Sequence, residues 1–248
     1  MDTLIPVAGL RGDYSFMAFD WTVPQPDNYS AEDQAVWRLL VERQTKLAKQ
    51  FACAEFLQGL ETLGIGDGIP DFDVVNAKLE PLTGWKVVGV PGLIPDAVFY
   101  DHLAHRRFPV TVWIRKRSEL DYLIEPDLFH DFFGHVPLLG NPVFADYMQR
   151  YGQRAMEAGA HIDLLARLYW YTVEFGLIRT VDGLKIYGAG ILSSAKEVRH
   201  AIEGDVERLP FEAAKVMRRP YEIDKLQNTY FVLDDFRQLF DAADTRIA

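Results

Sequence analysis

The sequence predicts a mainly α fold with a small β-sheet. Three observations carry that reading. Apolar residues recur every three to four positions over most of the chain, several of those segments open on recognisable helix caps, and β-branched runs are confined to two short stretches.

Residues 1 to 29 mix Gly, Pro and aromatics without periodicity and read as an irregular N-terminal arm docked on the rest. Ser30-Ala-Glu-Asp33 has the form of a capping box, and Trp37, Leu40, Val41 and Leu47 follow at helical spacing. A second helix is expected over 53–63, ending in the turn Gly64-Ile-Gly-Asp-Gly68. A third starts at Pro70-Asp-Phe-Asp73 and runs to Thr83. The β candidates Lys86-Val-Val-Gly-Val90 and Pro109-Val-Thr-Val-Trp-Ile114 bracket a helix at 95–105. Aromatics at helical spacing predict a helix over 125–136, with Pro137 expected to terminate it. Further helices are expected at 142–158, 161–179, 193–203, 211–217 and 231–243.

A chain of 248 residues fits a single domain, 1–248, with no repeat or low-complexity tract. Hydrophobic residues at 49% and charged residues at 25% are ordinary globular values, enough for a large core without disulfides. Cys53 stands alone, which excludes an internal disulfide and favours a reducing cytoplasm. The N-terminus has no positive n-region or apolar h-region, so no signal peptide is expected. The longest apolar run, Leu164 to Ile178, is interrupted by Arg167 and Glu174 and is too short for a membrane span. A net charge of −10 argues against a nucleic-acid surface, which must neutralise phosphates.

The chemistry concentrates in Glu125-Pro-Asp-Leu-Phe-His-Asp-Phe-Phe-Gly-His-Val-Pro137. His130 and His135 are neutral nitrogen ligands near pH 7, and Asp127 and Asp131 lie beside them. Five residues along an α-helix rotate a side chain by about 140°, too far for side-by-side ligation. Gly134 and Pro137 are therefore expected to end the helix at His135, so that its ring can swing back. The spacing alone is a loose pattern and leaves a plain pair of core or surface histidines open. Glu174, in the middle of the nearly all-apolar Leu164–Ile178 segment, strengthens the metal reading, because a buried carboxylate needs a partner. An arginine is the alternative partner. Two histidines and one carboxylate form the facial triad of non-haem Fe(II) oxygenases, although zinc takes the same ligand types.

Glu125-Pro-Asp127, His130-Asp-Phe-Phe-Gly-His-Val-Pro137, Tyr169-Trp-Tyr-Thr-Val-Glu-Phe-Gly176 and Tyr187-Gly-Ala-Gly-Ile-Leu-Ser-Ser194 together resemble the pterin-dependent aromatic amino acid hydroxylases, and among them the bacterial phenylalanine 4-hydroxylases. The resemblance runs from about Tyr29 to Phe240, in order and spacing. It implies a single catalytic domain that uses Fe(II), a tetrahydropterin (tetrahydrobiopterin or a bacterial analogue) and O2 to convert L-phenylalanine to L-tyrosine. His130, His135 and Glu174 are then the iron ligands, with Tyr169 and Asp131 beside the iron. Phe99, Gly92, Leu93, Ile94 and Asp131 would meet the pterin. Arg115 would grip the substrate carboxylate and Asp127 would orient it, with Tyr122, Trp170, Phe175, Gly190 and Ser193 completing the substrate pocket.

Trp170 matches the phenylalanine and tyrosine enzymes, and Ile223 stands where tyrosine hydroxylases carry an aspartate, so the pair favours phenylalanine over a tryptophan hydroxylase of the same family. A non-catalytic or zinc-binding relative is the more distant alternative. The sequence departs from the animal members in carrying no regulatory domain and no tetramerisation tail, so a monomer is expected, without nucleic-acid or membrane partners. His102, His105, His161 and His200 are expected at the surface or at helix ends. Cys53 is expected to be an inert core thiol, and the charges from Lys196 to Arg208 a solvated face.

Overall fold

Ser30 opens the first long helix as its sequence requires. Its hydroxyl accepts from the Asp33 N–H at 3.1 Å, and the Asp33 carboxylate accepts from the Ser30 N–H at 2.9 Å. The computed structural model describes residues 10–121, 123–223 and 225–244. Within them α1 (Ala31–Phe51) is followed by α2 (Ala54–Leu63) and α3 (Phe72–Thr83). The last two end at Gly64 and Gly84, whose φ of 72° and 75° are the left-handed conformation that glycine adopts without penalty. The strands β1 (Lys86–Val90) and β2 (Arg107–Thr111) pair in parallel, with α4 (Asp96–Ala104) as the crossover between them.

The histidine segment follows as a π-helical turn, His130–His135, and runs directly into α5 (Val136–Leu139) and α6 (Pro142–Glu157). Pro137 therefore does not stop the helix. It sits in the first turn of α5, where its missing N–H removes no needed bond. Next come α7 (Ile162–Tyr169) and a second π turn, Trp170–Glu174. The chain continues through β3 (Leu177–Thr180), β4 (Gly183–Ile186), α8 (Ala189–Leu192), α9 (Ala195–Glu203), β5 (Glu207–Pro210), α10 (Ala213–Arg218), β6 (Thr229–Leu233) and α11 (Gln238–Asp244).

The mainly α class holds, but the β part is larger than the sequence suggests. A second sheet of order β4-β3-β6-β5 stands beside the β1–β2 pair. Two expected helices gave way to it. The one placed at 161–179 ends at Glu174, because Gly176 packs so tightly that an added Cβ would lie 2.0 Å from Cζ of Tyr187, and Leu177 then starts a hairpin. The one placed at 231–243 starts only at Gln238, since Thr229–Leu233 is a strand between two others with all five residues buried. A strand buried on both faces shows no alternation and cannot be told from a buried helix by periodicity.

The core holds the histidine segment in place. Phe129 and Phe133 stack at 4.9 Å, Trp37 of α1 meets Phe129 edge-on at 5.6 Å, and Phe72 of α3 stacks on Phe132 at 5.5 Å. The segment thus sends its phenylalanines inward and leaves its imidazoles for chemistry. Cys53 is buried as expected, and burial pushes its thiol up to about 12. His102 departs from the surface assignment: it is fully buried, with Nε2 donating to the Asp20 carbonyl at 2.9 Å and so fastening the arm to α4. No helix among the described residues is long and apolar enough to cross a membrane.

Helix α2 lies against α5 with almost no clearance at Gly59, where an added Cβ would fall 2.0 Å from the Pro137 carbonyl oxygen. Gly59→Ala is expected to force the two helices apart and destabilise the protein by about 1–3 kcal/mol. Chemical denaturation should show the lowered midpoint, and an unchanged midpoint would mean that the α2–α5 contact does not support the histidine segment.

Candidate metal centre and its aromatic pocket

The five-residue spacing of His130 and His135 is resolved by widening the helix, not by ending it. A π turn closes its hydrogen bonds from i to i+5, which brings residues five apart onto one side. Glu174 stands at the end of a turn of the same kind, in which the Phe175 N–H donates to the Trp170 carbonyl at 2.9 Å. The two turns face each other. Nε2 of His135 lies 3.2 Å from Oε1 of Glu174, and Nε2 of His130 lies 3.7 Å from its Oε2. One ligand atom from each of the three residues falls within a 4.8 Å span. That convergence fits a single metal ion, and the ring planes, 83° apart, approach from different directions.

Each ligand is held from behind. Nδ1 of His130 is 2.9 Å from the Ser193 hydroxyl, which leaves Nε2 for a metal. The His135 ring packs against Phe108, 4.9 Å away and tilted by 34°, and against Tyr169, stacked at 6.3 Å. Gly190 packs closely on the Glu174 carboxylate, where an added Cβ would sit 3.0 Å from Oε2. Burial pushes the Glu174 carboxyl up, but the His135 and His130 imidazoles outweigh it and leave it below its ordinary value. The carboxylate form is therefore the one presented, and its partners are the histidines and not the arginine that the sequence also allowed.

Asp127 is fully buried, and its carboxylate is saturated. Oδ2 accepts from the Arg115 N–H at 2.8 Å and from Nε at 2.9 Å, while Oδ1 accepts from Nη2 at 2.7 Å and from the His130 N–H at 3.0 Å. Burial opposes its charge, yet the Arg115 guanidinium prevails and keeps the carboxyl below its usual range. Asp127 thus fixes both Arg115 and the start of the first π turn. Arg115 is only 7% exposed, so it is no solvated surface charge. Asp131 accepts from the Thr111 N–H at 2.8 Å, and burial leaves its carboxyl above the ordinary value.

Several other residues singled out in the sequence connect to this centre through their packing. Phe99 meets Phe108 and Tyr169 edge-on at 6.4 and 5.8 Å. Gly92, Leu93 and Ile94 form the loop between β1 and α4. Trp170 packs against Phe175 at 4.6 Å with the rings tilted by 36°, and an added Cβ at Gly190 would lie 3.0 Å from Cζ of Phe175. Tyr122 lies outside the described residues. Two contributors were missed by the sequence reading. Tyr14 of the arm donates its hydroxyl to the Leu93 carbonyl at 3.0 Å, and Tyr221 stacks on Trp170 at 4.4 Å. Both belong to segments without periodicity, where spacing carries no signal.

Known proteins share this arrangement. The family model described as biopterin-dependent aromatic amino acid hydroxylase matches residues 14–244. The phenylalanine-4-hydroxylase of Mesorhizobium japonicum is 55% identical over 241 residues, 96% of this chain and 88% of that protein. The crystal structure of Chromobacterium violaceum phenylalanine hydroxylase with bound iron(III) and oxidised 7,8-dihydrobiopterin superposes with a TM-score of 0.88 at 57% identity, covering 91% of this chain and 84% of that one. The iron- and phenylalanine-bound form from the same organism gives a TM-score of 0.88 at 53% identity, over 97% of this chain and 88% of that one.

Removing the Ser193 hydroxyl should free the His130 ring. Ser193→Ala is expected to weaken Fe(II) binding by about tenfold, the low end for loss of an outer-shell partner. Metal titration reads the change, and an unaltered affinity would show that packing alone orients the ring.

Proposed function

We infer the reaction from the premise that this chain belongs to the biopterin-dependent aromatic amino acid hydroxylases: it is an iron- and pterin-dependent monooxygenase that hydroxylates L-phenylalanine to L-tyrosine with O2. The observation that carries the reading is the convergence of His130, His135 and Glu174 on one point at the ends of two π turns. Two imidazoles and a carboxylate leave three coordination positions open, the donor set of an Fe(II) oxygenase more than of a closed zinc site. When bound, the iron and the reduced pterin supply the activation of oxygen, and the protein supplies everything else.

The roles of individual residues are our proposal. His130, His135 and Glu174 hold the iron. Arg115 receives the substrate carboxylate: Asp127 occupies Nε and Nη2, which locks the guanidinium plane and leaves Nη1 for an incoming anion. Trp170, Phe175, Gly190 and Ser193 line the space for the phenyl ring, where apolar walls both fit it and exclude water. Phe99 offers a face to the pterin ring, and the backbone of Gly92, Leu93 and Ile94 offers amide groups to its edge. Asp131 would lie near the pterin and the metal and Tyr169 beside the metal, and the Tyr169 hydroxyl stays protonated because burial and the Glu174 charge raise it well above its ordinary value. Orientation is the main contribution of this frame, since holding reactants in line removes the entropy of their encounter.

Tyrosine formation from phenylalanine tests the reading directly. It is expected to require O2, a tetrahydropterin and Fe(II), to stop on chelation, and to exceed hydroxylation of tryptophan or tyrosine. Glu174→Ala is expected to abolish both iron binding and turnover. Full activity in that variant, or turnover that ignores chelation, would overturn the assignment.

A further inference from the structure

The π turn that presents Glu174 begins at Trp170. Its indole packs against Phe175, 4.6 Å away and tilted by 36°, and stacks on Tyr221, 4.4 Å away and 17° from parallel. The indole N–H, the ring's one polar group, donates to Oε1 of Gln227 at 3.0 Å.

Gln227 is 5% exposed, and each of its polar groups is engaged. Its Nε2 donates to the carbonyls of Glu222, at 3.0 Å, and Lys225, at 2.9 Å. Its own N–H donates to Oε1 of Glu197 at 3.3 Å, and its carbonyl accepts from Nε2 of His200 at 3.0 Å. Glu197 is itself buried, against the expectation of a solvated face, and accepts the Tyr230 hydroxyl at 2.5 Å. The backbone of Gln227 is thus fixed to α9, and α9 to the second sheet through Glu197 and Tyr230. Only its amide reaches toward the pocket, and it does so in two directions: to the edge of Trp170, and to the turn that follows Tyr221, the ring stacked on Trp170. One side chain sets both the edge and one face of the indole.

We propose that Gln227 is a positioning residue for substrate selection, acting through Trp170. The proposal rests on the reading of Trp170 and Phe175 as walls of the phenylalanine pocket. A buried N–H that loses its acceptor turns toward another partner or admits water. An indole so released no longer presents a fixed wall. The iron ligands do not touch Gln227, so the chemistry continues while the fit of the side chain loosens.

Gln227→Met keeps the volume and removes the amide. The ratio of kcat/KM for phenylalanine to that for tryptophan is expected to fall about fivefold to tenfold, within what one or two apolar contacts decide. The loss should appear in KM for phenylalanine, with KM for the tetrahydropterin and the iron stoichiometry unchanged, a split that general loosening of the fold would not give. Trp170→Phe removes the N–H from the other side. In that background Gln227→Met should alter the ratio less than it does alone, because the bond the two residues share is already gone. An unchanged ratio in Gln227→Met, or effects that multiply in the double variant, would overturn the proposal. If Gln227→Met does not fold, Gln227→Asn, which keeps the amide but is one methylene too short, is read against the same ratio with the same two outcomes. A wild-type protein that forms no tyrosine would overturn the proposed function itself, whereas an active wild type with an unchanged ratio overturns the role of Gln227 alone.

Discussion

Everything at this centre depends on two π turns that face each other. An α-helix cannot bring His130 and His135 to one point, because five residues rotate by about 140°. The wider turn can, and a second one places Glu174 opposite them, with 3.2 Å between Nε2 of His135 and Oε1 of Glu174. Hydrogen bonding from i to i+5 is poorer than the α pattern and persists where surrounding packing imposes it. Here the packing is plain. Phe129, Phe132 and Phe133 are locked in the core on one side, and Gly134 lies against α8 on the other, where an added Cβ would be 3.0 Å from the Ala189 carbonyl oxygen.

A second constraint ties recognition to that scaffold. Asp127 uses one carboxylate for two tasks, fixing Nε and Nη2 of Arg115 and receiving the His130 N–H. A buried pair of this kind stabilises little by itself, since desolvation offsets the attraction. Its value is geometric: the group proposed to bind the substrate carboxylate and the segment proposed to supply two metal ligands share one anchor. The distance between substrate and iron is then a property of the fold and not of a mobile side chain.

Much of this was legible in the sequence, for physical reasons. Ser30 and Asp33 cap a helix by local chemistry, and Gly64 marks a left-handed turn. His130, His135 and Glu174 stood out because polar groups in apolar segments need partners. The manner of their meeting did not. Gly134 and Pro137 suggested a helix that ends, whereas the helix widens and continues, since a π turn leaves no mark in periodicity. The second sheet was hidden for the related reason that Thr229–Leu233 is buried on both faces. Tyr14, Tyr221 and the amide of Gln227 act across 79, 51 and 57 residues of chain respectively, to Leu93, Trp170 and Trp170, and only the folded structure brings such pairs together.

The account turns on the claim that one iron is held by three side chains brought together through two π turns. A crystal structure of the Fe(II)-loaded protein, with the metal located by anomalous scattering at the iron edge, tests it most directly. The account predicts iron bound by Nε2 of His130, Nε2 of His135 and the Glu174 carboxylate, with both i to i+5 turns retained. Iron held without one of the three, or either turn rewound to an α-helix in the loaded state, would contradict it.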